Sequence, residues 1–496
     1  MDNIRKPNVI YILSDDMGYG DISGLNKMCP FRTENLDSMC QNGVAFCDAH
    51  STSSVCTPSR YGILTGRYNW RSRLKTSVVG GYSKHLIEQG TTTVATVFKR
   101  NGYRTAAIGK WHLGMDFTVT EDFMERPGYG SSFDLNDGVD YSSKIKNSPV
   151  SYGFDYFYGI SGSLDMPPYV YIENERFTAA PDHKCEVPRG KGWYRPGPTA
   201  PDFIHEKVLD ELTDRLLDKI EEYHNDPFFI YFPIPAPHGP ILPAEEFRGK
   251  SGTNEYGDFV LHCDDVVGRI VEKLKELNLY EDTILIFTSD NGCSPVADFK
   301  ELAEKNHNPS YVFRGMKSDI YEGGHHIPYI VQWPAHMPKG KCCNQTVCLS
   351  DFMATIAELL EDHLKENEGV DSISNLSLWY DPQGDAVREY TVHQSIDGSL
   401  AIRWRQYKLE MCPGSGGWSY PIEKDITEQM PKFQLYDLEN DIAESENVID
   451  KYPEIYKRLR SKLKEIVKNG RSTEGPKQKN NGEQVWRTIQ WIEEQD

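Results

Sequence analysis

Four side chains that carry oxygen ligands follow two apolar segments of the chain. Asp15 and Asp16 come directly after the apolar run Val9–Leu13, and Asp290 and Asn291 follow a second such run. Carboxylate and amide oxygens without any sulfur ligand are the donors that Ca²⁺ or Mg²⁺ prefers, in contrast to zinc or copper. The same residue types are also favoured in helix caps and turns. The sequence therefore indicates either a site for a hard cation or two strand-end turns.

The most specific short motif is C-T-P-S-R, which runs from Cys56 to Arg60 and leads into the helix-like segment RYGILTGR. Pro58 suits the first turn of a helix, where its missing N–H costs nothing. Cys56 would then lie at the positive end of this helix, where developing negative charge is stabilised. A lone cysteine is usually a small core residue. The polar neighbours of Cys56 argue against a dry core position and favour a reactive one.

Ammonium and imidazole groups follow two further apolar runs. Lys110 and His112 close the run Thr105–Gly109, and their spacing of two residues would place both side chains on one face of a strand. His238 follows the run Phe228–Ile234. Ligands of open α/β sheets bind outside the carboxyl ends of the strands. Each residue alone could be an ordinary turn residue, but together they predict one polar rim that carries the chemistry.

The elements that would position these residues alternate between strands and helices. Apolar positions recur every four residues in Phe203–Tyr223 and again in Phe259–Leu277, which predicts amphipathic helices. Short continuous apolar runs separated by helices are typical of a mostly parallel sheet covered on both faces. We therefore expect an α/β fold class with a large sheet. Its expected strands are Val9–Leu13, Thr105–Gly109, Phe228–Ile234, Thr283–Thr288 and Pro328–Trp333.

The pattern changes near Tyr380, where shorter strands joined by tight turns begin. We expect a domain at 1–380 and a smaller C-terminal α+β domain with an antiparallel sheet at 381–496. The segment 469–483 is rich in Gly, Lys and Asn and is expected to be a loop. A short helix is expected near 485–492. The strands and helix expected in the smaller domain are Glu389–Gln394, Ser399–Trp404, Tyr407–Met411 and Tyr452–Val467.

The composition excludes some classes of partner. The 496 residues include 54 lysines and arginines and 74 aspartates and glutamates, which gives a formal net charge of −20. A phosphate-tracking surface needs clustered cations, so we expect no nucleic-acid binding. The longest apolar runs are far shorter than a membrane span, so no membrane partner is expected. A homo-oligomer is compatible with this composition. Basic residues do concentrate locally, as Arg67, Arg71, Arg73 and Lys75, and again as Arg314 with Lys317.

The eleven cysteines include one adjacent pair, Cys342-Cys343, and no C-x-x-C spacing. This usage argues against a disulfide framework and against a structural zinc site. His325-His326 could be proposed as zinc ligands, but adjacent side chains point in different directions. No secretory signal is visible, so we expect a cytoplasmic protein, or a periplasmic or secreted one if a leader has been removed.

The motif C-T-P-S-R followed by L-T-G-R resembles the signature of the type I, formylglycine-dependent sulfatases of the alkaline-phosphatase superfamily. Further motifs of that family follow in its order over most of residues 7–335, as NVIYILSDDMGYGD, GYRTAAIGKWHLG, PHGP, SDNG and FRGMKSDIYEGG. The combination is far more specific than any one motif. The segment YGISGSLDMPPYVYIEN looks most like bacterial enzymes related to the N-acetylgalactosamine-6-sulfatase and arylsulfatase A branch.

The resemblance implies that Cys56 is oxidised to formylglycine, whose hydrated aldehyde is the nucleophile. A formylglycine-generating or anaerobic sulfatase-maturating enzyme would perform this conversion. The implied cofactor is Ca²⁺, with Mg²⁺ as an alternative, and its ligands would be Asp15, Asp16, Asp290 and Asn291. The implied catalytic residues are Cys56, Arg60, Lys110, His112, His238 and Lys317. Of these, His238 is expected to protonate the leaving alcohol and His112 to accept the proton of the second hydroxyl.

The implied substrate is a sulfated small molecule or saccharide, and a 6-O-sulfate of galactose or N-acetylgalactosamine is preferred on resemblance alone. Residues expected to contact it are Ser163, Asp165, Tyr169 and His393, with Tyr82–His85 as a further candidate segment. Two alternatives stay open. A phosphonate or phosphate monoester hydrolase would share the metal and the modified cysteine, and a non-catalytic binder of sulfated glycans would retain an unmodified Cys56.

Overall fold

The computed structural model describes residues 6–120, 137–187 and 189–494. In these residues the strands are, in chain order, β1 (Asn8–Asp15), β2 (Val44–Phe46), β3 (Ala49–His50), β4 (Arg104–Lys110), β5 (Tyr156–Ile160), β6 (Ile172–Glu173), β7 (Arg176–Phe177), β8 (His183–Lys184), β9 (Pro198–Thr199), β10 (Phe228–Pro237), β11 (Thr283–Ser289), β12 (Tyr329–Gln332), β13 (Lys341–Cys343), β14 (Val347–Cys348), β15 (Tyr390–Gln394), β16 (Leu400–Trp404), β17 (Tyr407–Glu410) and β18 (Gln434–Asp437).

The α-helices of the described residues are α1 (Glu34–Asn42), α2 (Cys56–Thr65), α3 (Val94–Arg100), α4 (Val208–Tyr223), α5 (Glu255–Glu276), α6 (Phe299–Glu304), α7 (Glu322–His325), α8 (Phe352–Leu359), α9 (Leu376–Tyr380) and α10 (Pro453–Asn469). The two amphipathic helices expected from the sequence are α4 and α5. Their apolar stripes, which include Leu212 and Leu216 in α4 and Val266 and Ile270 in α5, are fully buried. None of these helices combines the length and the apolar character that a membrane crossing would require.

The larger sheet has ten strands in the order β13-β2-β12-β11-β1-β10-β4-β5-β6-β7. Its centre is parallel, because β11, β1, β10, β4 and β5 pair in parallel with one another in that order. Alternate side chains of β1 enter two hydrophobic cores, Ile10 and Ile12 on one face and Val9, Tyr11 and Leu13 on the other. The sheet is therefore covered on both faces, which confirms the α/β fold class.

The edges of this sheet differ from a purely parallel arrangement. The strand expected at Pro328–Trp333 is present as β12, but it runs antiparallel to both β11 and β2. At the other edge, β6 pairs antiparallel with β5 and with β7. Antiparallel edges need no crossover helix between neighbouring strands. A run of apolar residues predicts a buried strand but carries no information about its direction.

A separate antiparallel sheet of four strands, β15-β16-β17-β18, forms the smaller C-terminal unit. Helix α10 packs on this sheet through Leu459, Leu463 and Ile466, all buried. The segment 470–486 contains no helix or strand, in agreement with the loop expected there. A 3₁₀ helix follows at Arg487–Glu493 and buries Ile489 and Trp491 against the same core.

One disulfide, Cys47–Cys342, is present, although the cysteine usage argued against a disulfide framework. The two cysteines are 295 residues apart in the chain, with Cα atoms 6.3 Å apart. The parallel pairing of β13 with β2 aligns Cys342 with Ala45 and so brings these distant segments together. Sequence spacing could not reveal this contact. The adjacent Cys343 is a buried free thiol.

Candidate active site

The two acidic pairs meet because their strands are parallel neighbours. Asp15 is the last residue of β1, and Asp290 follows β11, which pairs with β1 in register. The backbone N–H of Asp16 donates to Oδ1 of Asp290 at 3.2 Å, and Nδ2 of Asn291 donates to Oδ1 of Asp16 at 2.7 Å. Oδ1 of Asn291 is buried and has no protein partner. The expected cluster of hard oxygen donors is therefore present at the rim of the sheet.

Helix α2 places Cys56 beside this cluster. The helix begins at Cys56 as expected, and every residue in it is buried. It ends at Gly66, whose left-handed φ of 61° closes the last turn through a hydrogen bond to the carbonyl of Gly62. Sγ of Cys56 lies 3.5 Å from Oδ1 of Asp15 and 3.4 Å from Nζ of Lys317. The positive end of the helix therefore faces the carboxylates across the thiol.

Three buried cations surround the same point. Lys110, at the end of β4, donates to Oδ2 of Asp15 at 2.5 Å. Lys317 lies 2.6 Å from Oδ1 of Asp16 and donates to its Oδ2 at 2.8 Å. Arg60 donates through Nε and Nη2 to a single oxygen of Asp290, at 3.0 and 2.8 Å. Strand β10 lies next to β1 and β4 lies next to β10, so nearby strand ends supply cations and carboxylates to one place.

Burial and mutual charge fix the protonation states of these groups. Burial alone would raise the pKa of Asp15, but Lys110 and the other nearby cations hold it well below its usual value. Burial and the charge of Asp15 raise the pKa of Asp290. Burial also raises the pKa of the Cys56 thiol to about 12, so this thiol is protonated at neutral pH. A protonated thiol is a poor nucleophile.

The two candidate imidazoles are held differently. His112 lies beyond the end of β4 with a left-handed φ of 54°, so the strand alternation expected for it does not extend that far. Its Nε2 lies 2.7 Å from the carbonyl oxygen of Val79, and its buried Nδ1 has no protein partner. Burial and nearby Lys110 lower the pKa of His112 well below its usual value. The ring is therefore neutral, with the proton on Nε2 and a free electron pair on Nδ1.

His238 follows β10 and is partly exposed to a cavity of about 290 Å³. Its Nδ1 lies 3.4 Å from Oγ of Ser163, which accepts a hydrogen bond from Lys110 at 3.1 Å. Its Nε2 lies 3.6 Å from Oδ2 of Asp16. The cavity is also lined by Cys56, His112, Asp165 and Lys317, among others. A ligand in this cavity would therefore contact the thiol position, two imidazoles and a buried ammonium.

Comparison with known proteins decides the family. Residues 7–363 match the family model described as Sulfatase, which covers more than half of the chain. The chain belongs to the sulfatase family. This sulfatase is a sulfuric ester hydrolase, and the resemblance inferred from its motifs is confirmed.

Two curated relatives and one solved structure show how far the likeness extends. An N-acetylgalactosamine-6-O-sulfatase of Bacteroides thetaiotaomicron is 33% identical over 94% of each chain. The mouse N-acetylgalactosamine-6-sulfatase is 28% identical over 84% of this chain and 73% of its own. A solved sulfatase structure from B. thetaiotaomicron, from work on metabolism of multiple glycosaminoglycans, superposes with a TM-score of 0.78 at 31% identity. It covers 93% of this chain and 99% of its own.

Two expected substrate contacts of the sulfatase lie away from its cavity. His393 in β15 is fully buried, with Nδ1 3.1 Å from the carbonyl oxygen of Ser51 and its ring stacked on His325. It therefore connects β15 to the residue after β3 and to α7, and it is not among the residues that line the cavity. Tyr169 is also buried, and its hydroxyl donates to the carbonyl of Arg195 at 2.6 Å. Sequence position could not distinguish such supporting residues from residues that face a ligand.

Asp165 does line the cavity, as expected. It forms an ion pair with Arg195, while its Oδ1 is buried without a protein partner. Ser163 lies in the site, where its Oγ contacts Nζ of Lys110 and Nδ1 of His238. The segment Tyr82–His85 does not line the catalytic cavity, and its Tyr82 donates to Asp137 at 2.6 Å.

Most of the local concentration of basic residues does not form an anion site. Arg71 binds both oxygens of Asp371, at 2.6 and 2.7 Å. Lys75 donates to the backbone carbonyls of Trp70, Ser72 and Asn481. These cations bind groups of the protein itself and are not available to a ligand. Charge runs in a sequence do not reveal whether the partner is a ligand or the protein itself.

The cavity residues that sequence reasoning missed include Trp193, Arg195 and Trp418. Trp418 comes from the C-terminal unit, after the small-residue run G-S-G-G. Trp193 and Arg195 come from an irregular segment without strand or helix periodicity. Two bulky aromatic residues in irregular, glycine-containing segments were the signal that could have found them.

Proposed function

We propose that this sulfatase hydrolyses 6-O-sulfate esters of galactose or N-acetylgalactosamine units, releasing inorganic sulfate and the free sugar hydroxyl. The observation that supports an anionic ester substrate is the cavity in which Cys56 lies next to the buried cation Lys317. The sugar and the sulfate position are suggested by the relative of 33% identity, which is an N-acetylgalactosamine-6-O-sulfatase.

Conversion of Cys56 to formylglycine is part of this proposal. The Cys56 thiol is fully buried with a pKa of about 12, so the unmodified side chain would be unreactive at neutral pH. The hydrate of a formylglycine aldehyde would supply an oxygen nucleophile at the same position. A formylglycine-generating or anaerobic sulfatase-maturating enzyme would be the required partner.

The acidic cluster fits a Ca²⁺ ion, with Mg²⁺ as an alternative. Asp15, Asp16 and Asp290 provide carboxylates, and the buried Oδ1 of Asn291 has no protein partner. These are hard oxygen ligands of the type that Ca²⁺ prefers. When bound, such a cation would stabilise negative charge on the oxygens of the sulfate ester.

The protein's own cations would provide the rest of the charge compensation. Lys110, Lys317 and Arg60 are buried and fixed by hydrogen bonds, so they need no reorganisation when negative charge develops. Preorganised charges of this kind are often the largest contribution to catalysis.

The two imidazoles would donate and accept the protons that the reaction transfers. His238 faces the cavity, where its ring can donate a proton to the oxygen of the leaving sugar. His112 is neutral and keeps a free electron pair on Nδ1, which suits a group that accepts a proton. General acid and base groups of this type contribute roughly 10²–10⁴-fold to a rate.

Mass spectrometry and a substrate panel test this proposal. The Cys56 peptide from enzyme produced with a maturating enzyme should be about 18 Da lighter than the cysteine form, the mass expected for the aldehyde. That enzyme should release sulfate from galactose 6-sulfate or N-acetylgalactosamine 6-sulfate, and Cys56→Ala should not.

Three outcomes would contradict the proposal. Faster hydrolysis of aryl phosphate than of the matched aryl sulfate would indicate a phosphomonoesterase. A thiol retained on Cys56 in the native host would favour a binder of sulfated glycans. Hydrolysis of 4-nitrophenyl sulfate without any sugar sulfate would exclude the carbohydrate substrate.

A further inference from the structure

The catalytic cavity adjoins two larger cavities at different parts of its wall. It shares Ile396 and Trp418 with a cavity of about 620 Å³ on the C-terminal unit. It shares Lys191 and Val296, among others, with a second cavity of about 570 Å³. The two outer cavities have no lining residue in common. At about 290 Å³, the catalytic cavity is at the lower limit of ligand pockets, so a ligand longer than one sugar unit would extend into its neighbours.

Two exposed tryptophans mark the walls of this cavity. The chain has nine tryptophans, all of them in the described residues, and the two exposed ones are Trp193 and Trp418, at 46% and 38%. Both line the catalytic cavity. Because both line a cavity, their exposed aromatic faces offer apolar area to a ligand in it. The apolar C–H face of a sugar ring can pack on such a face while its hydroxyls remain hydrated.

Trp418 is held rigidly next to the catalytic residues. Its backbone N–H donates to Oδ1 of Asp319 at 2.7 Å, and the N–H of Ser419 donates to the same oxygen at 3.1 Å. A Cβ at Gly417 would lie 2.4 Å from Asp319, so only glycine fits this close approach. Asp319 is two residues beyond Lys317. The loop therefore anchors the backbone of Trp418 close to the buried ammonium of Lys317.

Trp193 lies in a different segment of the chain, where Arg195 supports its ring. The guanidinium of Arg195 lies over its ring, 5.4 Å from the centroid. Arg195 in turn forms an ion pair with Asp165, which lines the catalytic cavity. The second aromatic face is thus connected to the catalytic cavity through one ion pair.

The charges of the outer cavities favour uncharged sugars. In the cavity on the C-terminal unit, Lys432 lies 2.5 Å from Glu494 and Arg487 lies 2.6 Å from Glu423. In the other cavity, Lys191 lies 3.2 Å from Glu255. Each cation among these lining residues therefore already binds a carboxylate, and Asp397 and Asp298 add further negative charge. A sugar carboxylate placed there would be repelled.

We propose that the catalytic cavity receives one sulfated unit of an oligosaccharide whose neighbouring units are uncharged and pack on Trp418 and Trp193. This inference rests on the proposed sugar-sulfatase function. It specifies that the sulfated unit lies within a chain and that the groups recognised around it are neutral rings and not uronates.

A matched substrate set tests the proposal with the matured, full-length enzyme. It consists of N-acetylgalactosamine 6-sulfate, a tetrasaccharide in which internal 6-sulfated N-acetylgalactosamine alternates with glucuronate, and the same tetrasaccharide with its carboxyls reduced to alcohols. We expect kcat/KM for the reduced tetrasaccharide to be at least ten times that for the monosaccharide and for the glucuronate parent. Equal or faster hydrolysis of the monosaccharide or of the parent would overturn the proposal.

Variants test the aromatic surfaces. Trp418→Ala should lower kcat/KM for the reduced tetrasaccharide roughly two- to twelve-fold, which is the range of an aromatic packing contact. The loss on the monosaccharide should be at most a third of that loss. Trp418→Phe, which keeps an aromatic face, should restore most of the activity.

The matched control is Tyr420→Ala, because Tyr420 is 72% exposed in the same loop but lines none of the three cavities. This variant should hydrolyse both substrates as the wild type does. Equal losses on the two substrates for Trp418→Ala would contradict a role in chain binding. If none of the three sugar sulfates is cleaved while 4-nitrophenyl sulfate is, the proposed carbohydrate function itself has failed, which is a different result.

Discussion

Two buried arginine–aspartate pairs, whose arginines both lie in the segment 60–71, differ in the hydrogen bonds that they form. Arg71 donates to both oxygens of Asp371, and that carboxylate also accepts the backbone N–H groups of Tyr68 and Ser472, each at 2.9 Å. Arg60 instead directs two N–H groups to one oxygen of Asp290. Each oxygen of Asp371 accepts two N–H groups, whereas Oδ1 of Asp290 accepts only the backbone N–H of Asp16. The second carboxylate therefore keeps the capacity to accept a further bond.

The neighbours of Asp290 include buried polar atoms without a protein partner. Around Asp290, the buried atoms Oδ1 of Asn291 and Nδ1 of His112 have no protein partner. Buried polar groups are normally hydrogen-bonded, and an unpaired one needs an explanation such as a bound ion or a catalytic role. Charge density therefore does not distinguish the two regions. Unpaired buried atoms also occur beside Arg71, at Oδ1 of Asn69, Nε1 of Trp70 and Oγ of Ser472, so they do not identify a ligand site by themselves. The region around Asp290 differs because its neighbour His112 lines the cavity that also contains Cys56 and Lys317.

The largest contrast is expected between Asp371→Asn and Asp290→Asn. Asp371→Asn breaks the Arg71–Asp371 pair and should lower the free energy of unfolding by about 3–5 kcal/mol, because Arg71 is left with an uncompensated buried charge. Activity of the folded fraction should stay within about two-fold of the wild type. Asp290→Asn should instead lose at least about 10²-fold in kcat with a smaller loss of stability. Urea denaturation and a 4-nitrophenyl sulfate assay measure both quantities.

Equal loss of stability in these two variants, with activity retained in both, would remove the distinction between the Arg71–Asp371 pair and the Arg60–Asp290 pair.

A second contrast compares two buried lysines. Lys317→Ala should reduce kcat by about 10²–10³-fold, or about 2.7–4 kcal/mol, because a preorganised cation next to the nucleophile is lost. Lys75→Ala removes an ammonium that donates to three backbone carbonyls. It should lower the melting temperature and leave kcat unchanged. A kcat loss of similar size in both variants would show that Lys317 acts through stability alone.

Calcium should stabilise the region around Asp290 and not the region around Asp371. At a Ca²⁺ concentration of 100 times Kd, the free energy of unfolding should increase by about 2.7 kcal/mol. Chelation should reverse this increase, and thermal unfolding with and without Ca²⁺ measures it. Asp290→Asn should lose the calcium-dependent part, whereas Asp371→Asn should keep it. A calcium effect of the same size in Asp290→Asn would place the ion elsewhere.

The smallest effect is expected for Tyr169→Phe. This change removes the hydrogen bond from the tyrosine hydroxyl to the carbonyl of Arg195, worth about 1 kcal/mol. Because Arg195 holds Asp165 at the cavity, KM for a sugar sulfate should rise up to about five-fold with kcat unchanged. A fall in kcat without a change in KM would assign Tyr169 a direct role in the chemical step.

The central sheet and the candidate site could be predicted because they depend on local patterns. Apolar runs marked β1, β4, β10 and β11, and the polar residues that follow them gather where parallel strands end. Helix α2 begins at Cys56, as Pro58 in its first turn indicated. These features follow from neighbouring residues in the chain, and the strand order then brings them together.

Other features depended on contacts between distant segments. The direction of β12 and the disulfide Cys47–Cys342 follow from sheet pairing that no local pattern encodes. His393 and Tyr169 were expected in the cleft, but His393 is buried against Ser51 and His325, and Tyr169 is buried where it bonds to Arg195. Trp418 reaches the cavity because its loop docks on Asp319.

The sequence by itself determined the α/β fold class, the sulfatase family and the set of groups available for chemistry, because these are written in periodicity and in ordered motifs. Only the tertiary structure decided which cations are consumed by internal partners and which face a ligand. The reason is physical: a charged side chain in a sequence carries its capacity to bind, but its actual partner is fixed by the folding of distant segments around it. Arg60 and Arg71 are the same residue type in one short stretch, and only their partners separate a catalytic role from a structural one.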